Sequence, residues 1–568
     1  MQSVVRLHVH AGLVAILLAL GHVGLGHGQA NPVRMRHGMV VCQEKLAAQV
    51  GAEVLRQGGN AVDGAVATAF ALAVTHPAAG NIGGGGFLLY RSHFGEPAAY
   101  DFRETAPAQA TRTMWLKDGT YDGQRHHLSH LAVGVPGTVA GLHLAWRDAG
   151  SLPWSRLLQP AIGLARDGFV VSDELARSLK DALPRMQRYP ASLAQFTRQG
   201  IPYEVGDLLL QPDLARTLSR ISEQGPPGFY EGETALLIEL EMQAHGGIVT
   251  REDLKRYTAK KRTPVTGSYR GFEIIGMPPP SSGGIAVIEM LHVLEGFDLA
   301  ADGFGSAVNL HRYAEAMRRA FADRARFLGD PDFNPPMPVA MLTSPEYANQ
   351  LRQSIKPTQA SPSSPTSFVW PLETTETTHL SVVDADRNAV ALTYTLEFSY
   401  GSGIVVPGAG FLLNNEMGDF NAVPGLTTTE GLIGTEPNLV APEKRMLSSM
   451  SPTIVTKDGE LFMLTGSPGG RTIINTVLQT LLNVIDFQMN AQEAVTAPRM
   501  HHQWLPDQIT YERHGLSPDT SEILRGYGHT LTPIESQGAA QVIVVRQDEQ
   551  LLEGGADPRS ADSAAVGY

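Results

Sequence analysis

Cysteine is nearly absent: Cys42 is the single one in 568 residues. An internal disulfide and a cysteine-based metal site are therefore excluded. Cys42 itself, just ahead of the first helical pattern, reads as a small buried side chain rather than a reactive thiol. Charge is also scarce, at 18% of residues against about 25% in an average domain. With 43% hydrophobic residues, this excludes a chain disordered throughout. The 44 basic and 57 acidic residues give a net charge of −13, and no Lys/Arg-rich run occurs. A nucleic-acid backbone is thus not the expected partner. Nowhere is there an apolar run of the roughly 20 residues that cross a bilayer, so no membrane span is expected. Several catalytic motifs are missing too. Gly83 to Gly86 lack a following Gly-Lys-Ser/Thr and are no phosphate loop. There is no Gly-x-Ser-x-Gly elbow and no His-Glu-x-x-His. The adjacent His501 and His502 point apart on either a helix or a strand, so they read as structural rather than metal-binding.

What is present begins with a leader. Arg6 precedes an apolar run from Ala11 to Leu20, and Gly28-Gln29-Ala30 resembles a signal-peptidase site, so residues 1–30 read as a secretory signal. The mature protein is then expected to be secreted or periplasmic. Its length alone suggests two to four domain-sized units, and 59 glycines and 37 prolines, about one residue in six, imply many short elements. Helical patterns cover Glu44 to Arg56, Val62 to Val74, Thr138 to Arg147, Ser155 to Arg166 and Ala307 to Phe327. Lys356 to Glu376 is rich in Pro, Ser and Thr and reads as an exposed linker. Directly after it, His379 to Asp384 and Ala389 to Leu396 flank the turn residues 385–388, a hairpin signal.

A linker that ends at a threonine opening a hairpin, Glu376-Thr377, is the point where a family resemblance emerges. The sequence resembles the gamma-glutamyltransferase (gamma-glutamyltranspeptidase, or glutathione hydrolase) family of N-terminal nucleophile hydrolases, over essentially the whole mature chain. Early segments that carry the likeness are Gly59 to Asp63, Thr75 to Pro77, Gly80 to Phe87 and Asp101 to Pro107. Later ones are Pro278 to Gly284, Leu328 to Phe333, Leu447 to Pro452, Gly466 to Gly470 and Ala497 to His502. The resemblance implies an α+β fold, a four-layer αββα sandwich, built jointly by a large subunit (31–376) and a small subunit (377–568). The small piece carries 22 acidic and 10 basic residues, so most of the acidity lies there.

Chemically, a threonine hydroxyl is a weak nucleophile, and an N-terminal threonine brings a base in its own α-amine. The resemblance implies that the precursor cuts itself between Glu376 and Thr377 and stays together as a heterodimer. Thr377 would take up the gamma-glutamyl group of glutathione or a related compound and pass it to water or to an amino acid or dipeptide acceptor. Thr395 would hydrogen-bond Thr377, while Gly469 and Gly470 would offer N–H groups to the oxyanion. Arg103, helped by Ser448 and Ser449, would hold the substrate α-carboxylate; Glu416 and Asp419 would hold its ammonium. No cofactor or metal is implied. Two positions depart from the family pattern. Glu397 replaces an asparagine, and this third carboxylate either strengthens ammonium binding or makes a neighbour protonate. Glu430 stands in the Gly425 to Pro442 loop where related bacterial enzymes carry a shielding tyrosine. A cephalosporin or glutaryl acylase on the same scaffold, or a non-catalytic binding protein, are the alternatives. Retained Asp419 argues against the first, and intact Thr377 and Thr395 against the second.

Overall fold

The computed structural model describes residues 30–334, 336–363, 377–430 and 433–568. The leader expected at 1–30 lies outside them except for Ala30, and so do Glu376 and most of the linker. Residues from Pro32 to Tyr568 form one compact unit around two seven-stranded antiparallel sheets. The first runs, in spatial order, Lys260–Arg262, Ala98–Phe102, Gly85–Arg91, Ala389–Thr395, Thr377–Val383, Met39–Cys42 and Ala564–Gly567. The second runs Val33–Met35, Leu551–Ala556, Gln541–Arg546, Glu460–Gly466, Thr453–Lys457, Phe272–Gly276 and Val265–Tyr269. Each sheet combines strands from both sides of position 377.

Strand periodicity explains the layering, because successive side chains point to opposite faces and both faces here are apolar. Val40, Cys42, Leu88 and Val382 face the helices Lys45–Arg56 and Ala61–Thr75. Their neighbours Met39, Val41, Phe87 and Leu89 face the second sheet, whose far side is covered by the helices Gly283–Glu295 and Thr472–Ile485. The result is the four-layer α+β sandwich.

Local chemistry sets the helix ends. Glu44, expected inside the first helix, is instead its N-cap: the carboxylate accepts from the N–H groups of Leu46 and Ala47, each at 2.8 Å. The next helix is buried along its whole length and opens on a capping box between Asn60 and Asp63. Ala307–Phe327 has the expected bounds.

The hairpin forms as expected, with strands Thr377–Val383 and Ala389–Thr395 in a register that sets Thr377 opposite Thr395. Asp384 closes the turn by accepting from the N–H groups of Asp386 and Asn388. The glycine run serves close packing against this hairpin: a Cβ on Gly84 would overlap the Thr395 carbonyl. The linker departs from expectation in its described part. Lys356 to Gln359 are exposed, whereas Ser361 and Ser363 are half-buried. Ser361 donates its N–H to Glu315 at 2.9 Å, and Ser363 donates its own to Asp507 at 2.7 Å. Carboxylates, buried Glu315 and exposed Asp507, thus bind down part of what composition alone marks as an exposed linker.

Candidate active site

Thr377 and Thr395 end adjacent antiparallel strands, so their side chains emerge on the same face. Both are almost fully buried, and the Thr377 hydroxyl donates to the Thr395 Oγ1 at 3.3 Å. That acceptor also receives the Glu397 N–H at 2.9 Å, which ties Thr395 to the turn after the strand. Glu397 sits there with φ +78°, a strained angle for a residue with a Cβ.

Nine of the residues expected from sequence line one cleft of about 40 Å³: Thr377, Thr395, Arg103, Glu397, Glu416, Asp419, Ser448, Ser449 and Gly470. Gly469 stands one residue behind the lining. It has φ +135° and Gly470 φ +53°, values that side chains resist. The turn leads into the helix Thr472–Ile485, so its N–H groups lie at a helix N-terminus, where negative charge is favoured.

Charge is concentrated opposite. Arg103, fully buried, is ion-paired with both Glu416 and Asp419, and Glu104 lies 3.6 Å away. Its Nε donates to the Met446 carbonyl at 3.3 Å. Three carboxylates thus converge on one guanidinium. Burial pushes the Glu416 carboxyl well above the usual range; Arg103 pulls it back, and Glu104, Asp419 and Glu397 push it further up. Burial likewise raises Glu104, against the pull of Arg103.

Sequence reasoning missed three residues. Arg324 lines the cleft and donates to the Ser449 and Ser282 hydroxyls, both at 2.9 Å. In sequence it was one of several arginines on a long helix, with nothing to single it out. Glu104, beside Arg103, is the second. The third is His127, whose Nδ1 lies 3.1 Å from the Glu397 Oε1 and whose ring stacks on Phe398 at 5.2 Å. Only contact in three dimensions links positions 127 and 397.

The remaining expectations fall elsewhere. Glu430 is exposed and accepts from the hydroxyls of Thr428 and Thr429, at 2.6 and 2.7 Å. Cys42 is buried and donates to the Glu44 carbonyl, with burial raising its pKa. His501 bonds Asn475 and Gln503, while His502 bonds Asp507; burial lowers the pKa of His501 to about 4. Two other groups among the described residues have metal-like spacing, His130 with Glu241 and His245, and His311 with Glu315 and His529. Neither lines the cleft, and in the second Glu315 is already taken up by Arg318, Arg319 and Ser361.

Comparison with known proteins bears on what this arrangement does. The family model described as gamma-glutamyltranspeptidase matches residues 47–567. A curated relative, the glutathione hydrolase proenzyme of Escherichia coli (strain K12), is 50% identical over 545 residues, covering 95% of this chain and 93% of that protein. Among solved structures, a cephalosporin acylase from Bacillus halodurans superposes with a TM-score of 0.84 at 28% identity, covering 96% of this chain and 98% of that one. A gamma-glutamyltranspeptidase from Helicobacter pylori does so with a TM-score of 0.55 at 48% identity, over 56% of this chain and 91% of that one.

Proposed function

Because the chain belongs to the gamma-glutamyltranspeptidase family, we propose that its cleft transfers gamma-glutamyl groups through a Thr377 ester. The protein is a glutathione hydrolase and gamma-glutamyltransferase. The observation that carries the site assignment is the hydroxyl pair Thr377 and Thr395 set at one end of a cleft whose other end holds Arg103, Glu416 and Asp419.

The chemistry proceeds in three steps. First, the Thr377 hydroxyl attacks the carbonyl carbon of residue 376; the acyl group moves from nitrogen to oxygen, and water hydrolyses the ester. This frees the Thr377 α-amine and separates a large subunit (31–376) from a small one (377–568), which remain a heterodimer because both supply strands to each sheet. Second, that amine, with a reference pKa of about 7.7 to 8.0, takes the hydroxyl proton as Thr377 attacks the gamma-carbonyl of the donor. The N–H groups of Gly469 and Gly470 receive the oxyanion, and the ammonium returns its proton to the departing amine. Third, water or an acceptor amine attacks the ester and releases glutamate or the new gamma-glutamyl compound.

The donor head is a zwitterion, and the cleft offers both signs. Arg103 with the Ser448 and Ser449 hydroxyls suits the carboxylate; Asp419, Glu416 and Glu397 suit the ammonium. A glutaryl donor lacks the ammonium and would forgo the attraction of Asp419, Glu416 and Glu397. The fold likeness to a cephalosporin acylase concerns the scaffold and leaves that argument intact. Residues 1–30 act as the export signal, with the mature protein secreted or periplasmic.

Two measurements test the reading. On a denaturing gel the purified protein should run as two pieces, and the smaller should begin at Thr377 by N-terminal sequencing; Thr377→Ala should remain one piece and turn over nothing. Gamma-glutamyl p-nitroanilide should be cleaved far faster than glutaryl p-nitroanilide. The reverse preference would make the protein an acylase.

A further inference from the structure

A second cavity, of about 890 Å³, lies next to the Thr377 cleft. The two share Phe398, and the larger also reaches Pro468, which precedes the Gly469–Gly470 turn. One wall is the helix Asp173–Met186, whose last turns present Ser178, Asp181 and Arg185. Much of the charge around this cavity is already matched. Arg177 pairs with Asp173, and Arg559 with Glu512 and Asp557. Glu174 accepts from Ser560 and from the Asp562 N–H.

Arg185 is the exception among the mostly buried charges. It donates to the Ser399 carbonyl, its Nε is buried with no hydrogen-bond partner, and among the described residues no carboxylate stands within ion-pair distance. Burial lowers its pKa from the ordinary arginine value, and the field of Glu397 reaches it. Room for its stem is made by Gly403, at φ +77°, where a Cβ would stand 3.0 Å from the Arg185 Cγ. Its place in the last turn of a helix favours a cation, and a half-buried guanidinium with no carboxylate partner among the described residues is a ready carboxylate site.

We propose that Arg185 anchors a carboxylate on the part of the substrate beyond the gamma-glutamyl bond. That is the departing peptide of the donor in the first half-reaction and the amino acid or peptide acceptor in the second. The inference rests on the proposed gamma-glutamyl transfer. Two extended residues span about 7 Å, so a dipeptide leaving group carries its terminal carboxylate out of the 40 Å³ cleft and past Phe398 into the larger cavity. Asp181 and Arg188, at the exposed edge of that cavity, are too hydrated to discriminate strongly.

The test pairs a change in the protein with a change in the substrate. Hydrolysis of glutathione and of its glycine carboxamide is measured as kcat/KM for the processed wild type, for Arg185→Gln and for Arg185→Lys. The ratio between the two donors does not depend on the fraction of active enzyme, so a partly unfolded variant still reports. The wild type should prefer the carboxylate donor by about 10- to 100-fold, the range of a charge-assisted hydrogen bond. Arg185→Gln should bring the ratio close to 1, with Arg185→Lys between. A wild-type ratio near 1, or a ratio unchanged in Arg185→Gln, overturns the assignment. Failure of the wild type to cleave either donor would instead overturn the gamma-glutamyl reading.

Discussion

Thr395→Val removes one hydroxyl and preserves the shape of the side chain. Two hydrogen bonds among the described residues are lost with it. The one from the Thr377 hydroxyl, at 3.3 Å, is long for an O–H···O contact and sits at the weak end, about 0.5 kcal/mol. The one from the Glu397 N–H, at 2.9 Å, is of ordinary length, and its loss leaves a buried donor unsatisfied at a cost of about 1–3 kcal/mol. Since Glu397 holds a strained φ of +78°, that cost falls on the turn carrying Glu397 and Phe398 into the cleft. Together the losses amount to roughly 1.5–3.5 kcal/mol, so kcat should fall about 10- to 300-fold. KM should change less, because Thr395 meets the nucleophile rather than the donor's charges. Self-cleavage should slow by a similar factor, since the same hydroxyl attacks. The assay is release of p-nitroaniline from the gamma-glutamyl anilide, alongside a time course of processing on a gel. Thr395→Ser keeps the hydroxyl and should stay within a few-fold of wild type. The reasoning fails if Thr395→Val processes and turns over within threefold of wild type, or if Thr395→Ser is equally damaged.

Arg324→Met releases the Ser449 hydroxyl from its 2.9 Å donor, so KM for glutathione should rise about tenfold with a smaller effect on kcat, read from initial rates. Asp419→Asn should raise the donor KM strongly, whereas Glu416→Gln should change it little, because burial already favours the neutral form of Glu416; equal effects in steady-state kinetics would contradict this. Lys444 donates to the carbonyls of Pro437 and Leu439 at 2.8 and 2.9 Å, and burial lowers its pKa to about 8. The unfolded chain, with a lysine pKa of about 10.4, then binds more protons than the folded one between those values, and Lys444 makes stability rise with pH over that window. Denaturant unfolding at pH 7.5 and 9.5 should show the wild type gaining on Lys444→Met; a constant difference would refute it.

How much of this was legible in advance follows from what each signal depends on. The hairpin was readable because alternation and a polar turn are local, whereas the register that faces Thr377 with Thr395 is set by the turn closing one residue earlier, at Val383 and Ala389. The helix Ala307–Phe327 was readable for the same reason, its apolar spacing and Ser306 cap lying within one segment. Arg324 was not, since its importance comes from Ser282 and Ser449, 42 and 125 residues away. The linker departs from expectation at Ser361 and Ser363 because proline and serine content reports what a segment cannot fold into by itself, and Glu315 and Asp507 are supplied by distant parts of the chain. Most of the cleft was named only through family motifs. Thr377, Thr395 and Arg103 read individually are an ordinary pair of strand threonines and one arginine.

Glu397 shows how the contacts bear on a question that composition left open. A third carboxylate near Glu416 and Asp419 could either add attraction for an ammonium or force a proton onto one of the three. In fully buried Glu416, burial pushes the carboxyl toward protonation, Arg103 pulls it back, and Glu104, Asp419 and Glu397 push it further up. Glu397 stands at the other side of this group, where His127 lies 3.1 Å from its Oε1 and, stacked on Phe398, cannot swing away without losing that contact. Glu397 places its carboxylate at the Phe398 edge of the cleft, beside the cavity that holds Arg185. Its field reaches Arg185, so charges of opposite sign line the two cavities that share Phe398.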